Sequence, residues 1–236
     1  MNNFYLVCSE KIWNKNNYTK YFGNNKRFMM VEEAQLLRTI VGHCEYDQGF
    51  SKPRMIFFPH WSHIIPKEIY ENHECVMFHM TDLPQGRGRE PLQWLIESGK
   101  QDTVISVFKC SEGIDSGPIY DRIPLSLGGC AEEIYNRCSD LIFKKIKQMV
   151  DTAEMGLKEN LEVQVGKPSK CGDPTNEILL DAIYNLDEIY NKIRAWDSIS
   201  YPKAYIDMDD FLFEFSNAIL RHNCVEANVK IIMKEN

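Results

Sequence analysis

The feature that most restricts the fold of this chain is a series of short apolar runs, each followed by a loop rich in proline, glycine or polar residues. Residues 54–58 and 75–78 are such runs, separated by a loop and a short amphipathic segment. Apolar runs of this length predict buried strands. The order strand, loop, helix, strand is typical of parallel sheets flanked by helices. The chain is therefore predicted to have an α/β fold with a mostly parallel sheet.

Other segments extend this pattern toward both ends of the chain. Further strands are predicted at residues 4–8, 27–30 and 104–108, and helices at residues 32–41, 91–97, 131–150 and 187–196. Residues 14–25 are expected to be irregular or weakly helical. The tail alternates apolar and polar residues at 204–208, 211–215 and 229–233, which predicts short strands.

A segment rich in glycine and proline, residues 166–174, is the predicted boundary of the core or an extended segment that faces the substrate. We therefore predict a core over residues 1–165. Residues 166–236 are predicted to form a small β-rich C-terminal appendage with one helix.

The charge balance weighs against a partner with many phosphates. The 236 residues carry a net charge of −7, whereas proteins that bind long nucleic acids usually have a basic face. The eight cysteines include no Cys-x-x-Cys pair, and no apolar run approaches the length of a transmembrane helix. We expect a soluble cytoplasmic protein with reduced cysteines, no metal, no membrane contact and no nucleic-acid partner.

Two loops that follow predicted strands each carry one ionisable residue. His79 begins a loop rich in proline, glycine and arginine, and Asp115 lies in the Gly/Pro-containing loop at 111–118. In open α/β sheets, ligands bind beyond the carboxyl ends of strands, so the two side chains are candidates for an acid–base pair that serves acyl transfer. Each also has a structural alternative, as a hydrogen-bonding histidine and as a turn-forming aspartate. The first predicted strand is not followed by Gly-x-Gly-x-x-Gly, which argues against a dinucleotide enzyme.

The residues of both loops resemble the signature of the folate-dependent formyltransferases. His79-x-Thr81-x-Leu83-Pro84, followed by Arg87-Gly88 and Pro91-Leu92-Gln93-Trp94, is similar to the first block of that family, and residues 111–119 are similar to its Glu-Gly-x-Asp-x-Gly-x-Ile block. The order and separation of the blocks also agree, and the likeness extends over residues 54–150. It implies a Rossmann-like formyltransferase core that transfers a formyl group from 10-formyltetrahydrofolate to an amine.

The resemblance implies catalytic roles for His79 and Asp115, but one residue of the family pattern is missing. The family has an asparagine two residues before the histidine, where this chain has Met77, which is not a useful hydrogen-bond donor. Loss of one oxyanion donor typically costs about 100- to 1,000-fold in rate. Thr81, or the loop at residues 59–66, is expected to supply or position another donor.

The same resemblance implies the residues that bind the two substrates. The folate is expected to contact His60, Trp61, Ile64, Ile65, Gly113 and Ile114. The acceptor is expected to contact Arg87, Arg89, Trp94, Tyr201 and Tyr205, with the arginines on phosphate oxygens. Solvated surface arginines and ordinary packing of the apolar side chains are the structural alternatives.

The sequence leaves several possible acceptors of the formyl group. Residues 189–196, with Tyr201-Pro202 and Ala204-Tyr205, are similar to the sugar-nucleotide branch of the family. The expected acceptor and partner is therefore a nucleotide-linked amino-dideoxy sugar, in particular a UDP-linked 4-amino sugar of pseudaminic-acid-type biosynthesis. Glycinamide ribonucleotide and methionyl-tRNA are alternatives, the latter ranked low because the chain is short and acidic. A catalytically impaired module that binds folate or a nucleotide is a second class, and the tail strands also suit a homodimer interface.

Overall fold

The protein contains a six-stranded mixed sheet flanked by helices and a three-stranded antiparallel sheet. In the computed structural model, the described residues are 4–46, 52–156, 160–182 and 184–234. The strands are β1 Tyr5–Cys8, β2 Phe28–Val31, β3 Met55–Pro59, β4 Cys75–His79, β5 Asp102–Lys109, β6 Ile119–Ser126, β7 Ala204–Met208, β8 Phe211–Leu220 and β9 Val225–Met233. The helices are α1 Ile12–Phe22, α2 Ala34–Tyr46, α3 Lys67–Asn72, α4 Pro91–Glu97, α5 Ala131–Glu154 and α6 Leu186–Trp196. Within these ranges, no helix is long and apolar enough to cross a membrane.

The large sheet is mostly parallel, as predicted. Its strand order is β2-β1-β3-β4-β5-β6. The pairs formed by β1 with β2, β1 with β3 and β3 with β4 are parallel, whereas β5 is antiparallel to both β4 and β6. The connection from β4 to β5 contains α4, and β5 then runs back along β4.

Both faces of the large sheet are covered. Tyr5 and Val7 of β1 belong to the main apolar cluster with residues of α4, α5 and α6, and Leu6 and Cys8 of the same strand belong to a second cluster with residues of α2 and α3. Successive strand residues point to opposite faces, so a strand buried on both sides is a continuous apolar run. That property made the central strands visible in the sequence.

Helix α1 covers most of residues 14–25, which the sequence predicted to be irregular or weakly helical. Trp13 is 1% exposed and its ring stacks on that of Tyr135 in α5, and Phe22 stacks on Phe28 of β2. The asparagines, the threonine and the tyrosines of this segment have lower intrinsic helix propensity. The tertiary contacts of Trp13 and Phe22 stabilise it.

The C-terminal residues form a helix followed by the second sheet, in the order β7-β8-β9. Both sheet pairs are antiparallel, and Asp209, at the turn between β7 and β8, has a φ of +42°. The β-rich tail is therefore confirmed. Ile193 and Trp196 of α6 lie in the same apolar cluster as the large sheet. The division at residue 165 and the homodimer interface stay predictions.

Candidate active site

The loop after β4 folds back on the histidine that precedes it. His79 is 8% exposed, and its Nε2–H donates to the carbonyl oxygen of Gly86 over 2.7 Å. The hydroxyl of Thr81 donates to the carbonyls of Gln85, at 2.7 Å, and Gly86, at 3.2 Å. Because a carbonyl oxygen only accepts, the contact with Gly86 assigns a proton to Nε2. Nδ1, the other ring nitrogen, takes no part in this bond.

The conformation of this loop depends on a glycine. Gly86 has a φ of +66°, and a Cβ atom there would lie 2.8 Å from Cγ2 of Thr81 and 3.0 Å from the ring of Trp94. A side chain at this position would therefore be strained in its backbone and would clash with both neighbours. The close approach brings the Gly86 carbonyl onto His79.

Asp115 reaches His79 from the other direction. Since β5 runs antiparallel to β4, its last residues lie beside the first residue of β4, with the Cys110 N–H donating to the Cys75 carbonyl over 2.8 Å. The loop at 111–118 then folds back, and Oδ2 of Asp115 lies 3.8 Å from Nδ1 of His79. The same Oδ2 accepts the Gly88 N–H over 3.0 Å.

This return of the loop also requires unusual backbone. Asp115 has a φ of +48°, a region that aspartate tolerates better than most residues. A Cβ atom at Gly117 would lie 1.7 Å from the carbonyl oxygen of Lys109, so only glycine fits where the loop rejoins the sheet. The glycine at position 117 of the motif is thus explained by the path of its backbone.

The position of the missing asparagine is filled by an apolar side chain. Met77 points to the same face of β4 as His79, since they are two residues apart, and packs against Leu83, Phe108 and Ile119. The Thr81 hydroxyl, which was expected to substitute, donates to loop carbonyls as described above. Its role as a catalytic donor stays a prediction.

His60, the other expected substitute, faces inward. Its Nδ1 accepts from Nε1–H of Trp13 at 3.3 Å and lies 3.1 Å from Nδ2 of Asn14, and its Nε2 lies 3.6 Å from Sγ of Cys138. Burial, followed by the positive charges of Lys11 and His79, lowers the pKa of His60 to about 3. The ring is therefore neutral near pH 7 and joins α1, α5 and the end of β3.

The residues predicted to bind folate are divided between the surface and the core. Ile64 and Ile114 are 91% and 72% exposed, and Gly113 is exposed beside Ile114. Trp61 is half-buried and packs on Phe58. Ile65 is 7% exposed and belongs to the second apolar cluster, so its side chain packs within the protein.

The residues predicted to bind the acceptor are also divided. Arg89 is exposed, whereas Arg87 donates to Oε1 of Gln164 over 2.6 Å. Trp94 packs between Gly86 and Gly172. Tyr201 is half-buried and stacks on Tyr135, with ring centroids 5.6 Å apart. Tyr205 lies on β7 and pairs through its backbone with residues 176–178, which places it in the C-terminal sheet.

The sequence did not predict the contacts that residues 160–172 make with the two loops. Residues 160–172 cross both loops, and Gln164, Ser169 and Cys171 bond directly to them. The sequence predicts residues 166–174 to be the boundary of the core or an extended segment that faces the substrate. Nothing in its composition indicated which side chains turn inward.

The comparison that decides the family is a solved structure of similar length. The chain is 36% identical to the methionyl-tRNA formyltransferase from Clostridium thermocellum. The match covers 98% of this chain and 100% of that chain, and the two structures superimpose with a TM-score of 0.87. The chain belongs to the formyltransferase family. The formyltransferase family that the sequence predicted is thereby confirmed.

Other relatives of this formyltransferase carry the same name. A methionyl-tRNA formyltransferase of Kosmotoga olearia is 29% identical over 154 residues, which are 62% of this chain and 49% of that protein. A family model described as the methionyl-tRNA formyltransferase C-terminal domain matches residues 176–232. The chain spans about half the length of the curated relatives it matches.

These findings correct the expected acceptor. The sugar-nucleotide interpretation of residues 189–205 was wrong, because the family model over this region and the relatives of higher identity are methionyl-tRNA formyltransferases. A 4-N formyltransferase from Francisella tularensis has a TM-score of 0.64 but only 15% identity, with 88% of this formyltransferase and 93% of that chain covered. That likeness shows the fold alone. The short apolar and aromatic pattern of the tail did not distinguish the branches.

Proposed function

We propose that this formyltransferase transfers a formyl group from 10-formyltetrahydrofolate to the α-amino group of methionyl-tRNA. The observation that carries the proposal is the pair formed by the buried His79 and the partly buried Asp115, 3.8 Å apart, in a chain similar over 98% of its length to a methionyl-tRNA formyltransferase. The acidic composition had favoured a small acceptor. The relatives outweigh it, because net charge describes the whole surface and not the rim of one site.

His79 and Asp115 are assigned the charge and the proton of the reaction. Attack of an amine on the formyl carbon places negative charge on the formyl oxygen, and the amine must lose a proton. When Nδ1 of His79 is protonated, that proton faces the Asp115 carboxylate, and the positive ring then stabilises the developing charge. Asp115 assists removal of the proton from the amine. As the new carbon–nitrogen bond to the amine forms, the bond between the formyl carbon and N10 of the folate breaks, and N10 takes up a proton so that tetrahydrofolate leaves.

The surface beside this pair fits a folate. A planar heterocycle needs apolar walls and a few polar groups, and Trp61, Ile64 and Ile114 present apolar surface on the loops after β3 and β5. Trp61 and Cys110, the residue after β5, both pack on the second apolar cluster, so the two loops lie on one side of the protein. When bound, 10-formyltetrahydrofolate supplies the activated formyl group, and these residues with Gly113 would hold its ring.

The acceptor side carries exposed positive charge. Arg89, Lys167 and Lys170 are exposed. Lys170 is bridged by backbone pairing to Arg87, and the side chain of Gln85 donates to the Lys167 carbonyl. These three cations, the basic rim, therefore lie along the loop that holds His79. Phosphates of the acceptor end of a tRNA are suited to this rim.

The proposal is tested by formylation of methionyl-tRNA with purified protein and 10-formyltetrahydrofolate. We expect formyl-methionyl-tRNA from the parent and a loss of at least about 1,000-fold in kcat for His79→Asn. His222→Asn, which changes an exposed histidine in the turn between β8 and β9, is the matched control and is expected to keep parental turnover. A parent that binds folate by calorimetry but forms no product would overturn the proposal in favour of a binding module.

We also propose a cytoplasmic location. The seven cysteines whose side chains are described are all free, and the cytoplasm keeps thiols reduced.

A further inference from the structure

Residues 160–172 form a strap that lies across both loops of the site. The backbone of Glu162 exchanges two hydrogen bonds with Ile119, of 2.7 and 2.8 Å, at the start of β6. Farther along, the Arg87 N–H donates to the Ser169 carbonyl and the Cys171 N–H donates to the Arg87 carbonyl, both over 2.9 Å. The strap is thus attached to the Asp115 loop at one end and to the His79 loop at the other.

Gln164 is the side chain of the strap that joins the two loops. Its Nε2 donates to the carbonyl oxygens of Asp115, over 2.9 Å, and Gly117, over 2.8 Å. Its Oε1 accepts from Nη2 of Arg87 over 2.6 Å. One carboxamide therefore holds the Asp115 loop through its donor and the His79 loop through its acceptor.

These bonds close a ring of contacts around the acid–base pair. The carboxylate of Asp115 accepts the N–H of Gly88, the neighbour of Arg87, and His79 donates to the carbonyl of Gly86 on the other side of Arg87. A displacement of the Asp115 backbone would therefore change the separation between Asp115 and His79.

Burial of the apolar residues beside Gln164 does not account for how the strap is held against the two loops. Val163 and Val165 are 78% and 84% exposed, so between them they contribute little to the hydrophobic stabilisation of this segment. Gln164 is partly buried and makes three polar contacts. The packing of the strap thus depends on its polar bonds, of which those of Gln164 lie nearest to Asp115.

We infer that Gln164 is a positioning residue, which sets the separation of His79 and Asp115 without touching the substrates. The inference rests on the proposed formyl transfer. A misplacement of about 1 Å is enough to cost about 100-fold in rate, so contacts that hold the Asp115 loop against the His79 loop are expected to affect turnover.

Two variants test the contributions of the donor and acceptor groups of the Gln164 carboxamide. Gln164→Glu keeps an acceptor for Arg87 but loses the donor to both carbonyls, and Gln164→Met keeps the length and loses all three bonds. We expect kcat to fall by about 10- to 100-fold in both, with the KM for 10-formyltetrahydrofolate within about twofold of the parent. Val165→Ala, in the same strap with its side chain in solvent, is the control and is expected to retain the parental kcat.

Hydrogen exchange provides a readout that does not depend on turnover. The amide of Gly88 donates to the Asp115 carboxylate, so it is expected to exchange about tenfold faster in Gln164→Met than in Val165→Ala. If both Gln164 variants keep the parental kcat and the Gly88 exchange rate, the inference is wrong, even if their melting temperatures fall. An inactive parent with accelerated Gly88 exchange in Gln164→Met would instead reject the proposed function and leave the positioning contact demonstrated.

Discussion

At the scale of single residues, Met77 stands where the motif that this chain resembles has an asparagine. It points to the same face of β4 as His79 and packs among Leu83, Phe108 and Ile119. The sequence alone identified the substitution, because the strand alternation and the position two residues before His79 were both readable. It did not show that an apolar cluster accommodates the methionine.

Met77→Asn is expected to raise kcat for formyl transfer by about tenfold. An amide at this position restores a donor of the kind that is typically worth 100- to 1,000-fold where it is native, and the gain is reduced because the surrounding cluster is apolar. Burial of the amide is expected to cost about 1–3 kcal/mol of unfolding free energy. Steady-state kinetics and urea unfolding measure the two effects. Met77→Leu is the apolar control, and equal kcat values for the two variants would contradict the expectation.

At the scale of elements, His60 joins three parts of the core. It follows β3, accepts from Trp13 in α1 and lies against Cys138 in α5. The sequence had placed it in a loop facing folate, because a Pro-His-Trp segment after a strand does not reveal which ring turns inward. The aromatic neighbours that enclose it come from residues 47 and more positions away.

The neutral state of His60 makes stability depend on pH. Its pKa of about 3 in the folded protein is below the 6.5 of an unperturbed histidine. Above pH 6.5 both states are neutral and the contribution to stability is fully present. As the pH falls from 6.5 toward 3, the unfolded chain binds the proton first, so stability is lost at up to about 1.4 kcal/mol per pH unit.

His60→Gln is therefore expected to have a shallower loss of unfolding free energy than the parent between pH 6.5 and 4.5. Urea unfolding at several pH values measures the difference of the two curves. His63→Gln, in the same loop but exposed, is expected to follow the parent curve. Parallel curves for His60→Gln and the parent would show that His60 is not kept neutral by the fold.

At the scale of the whole molecule, a net charge of −7 coexists with a local group of exposed cations. The basic rim of Arg89, Lys167 and Lys170 lies along the loop that holds His79. Composition alone led to the expectation of no nucleic-acid partner, because it averages over the surface. The tertiary structure brings residues about 80 positions apart in the chain to one edge of the site.

The double variant Lys167→Glu with Lys170→Glu is expected to raise the KM for methionyl-tRNA by at least about tenfold at low salt, with kcat near the parental value. Each lost phosphate contact also reduces the slope of log KM against log salt concentration by roughly 0.7–0.9. Kinetics at several salt concentrations measure both effects. The pair Lys26→Glu with Lys147→Glu makes the same change in net charge near β2 and on α5 and is the control. An equal effect of the two pairs would reject a localised rim.

The sequence by itself determined the central strands, helices α4, α5 and α6, the three tail strands, and the two motifs that carry His79 and Asp115. These follow from local periodicity, from turn-forming glycines and from a motif resemblance, all of which are properties of neighbouring residues. Only the tertiary structure decided how Asp115 reaches His79. Because β5 runs antiparallel to β4, the second loop must fold back along the sheet, and Gln164, 49 residues from Asp115 and 77 from Arg87, then bonds to both loops. Contacts between such distant residues have no counterpart in local pattern, since they exist only after the chain has packed.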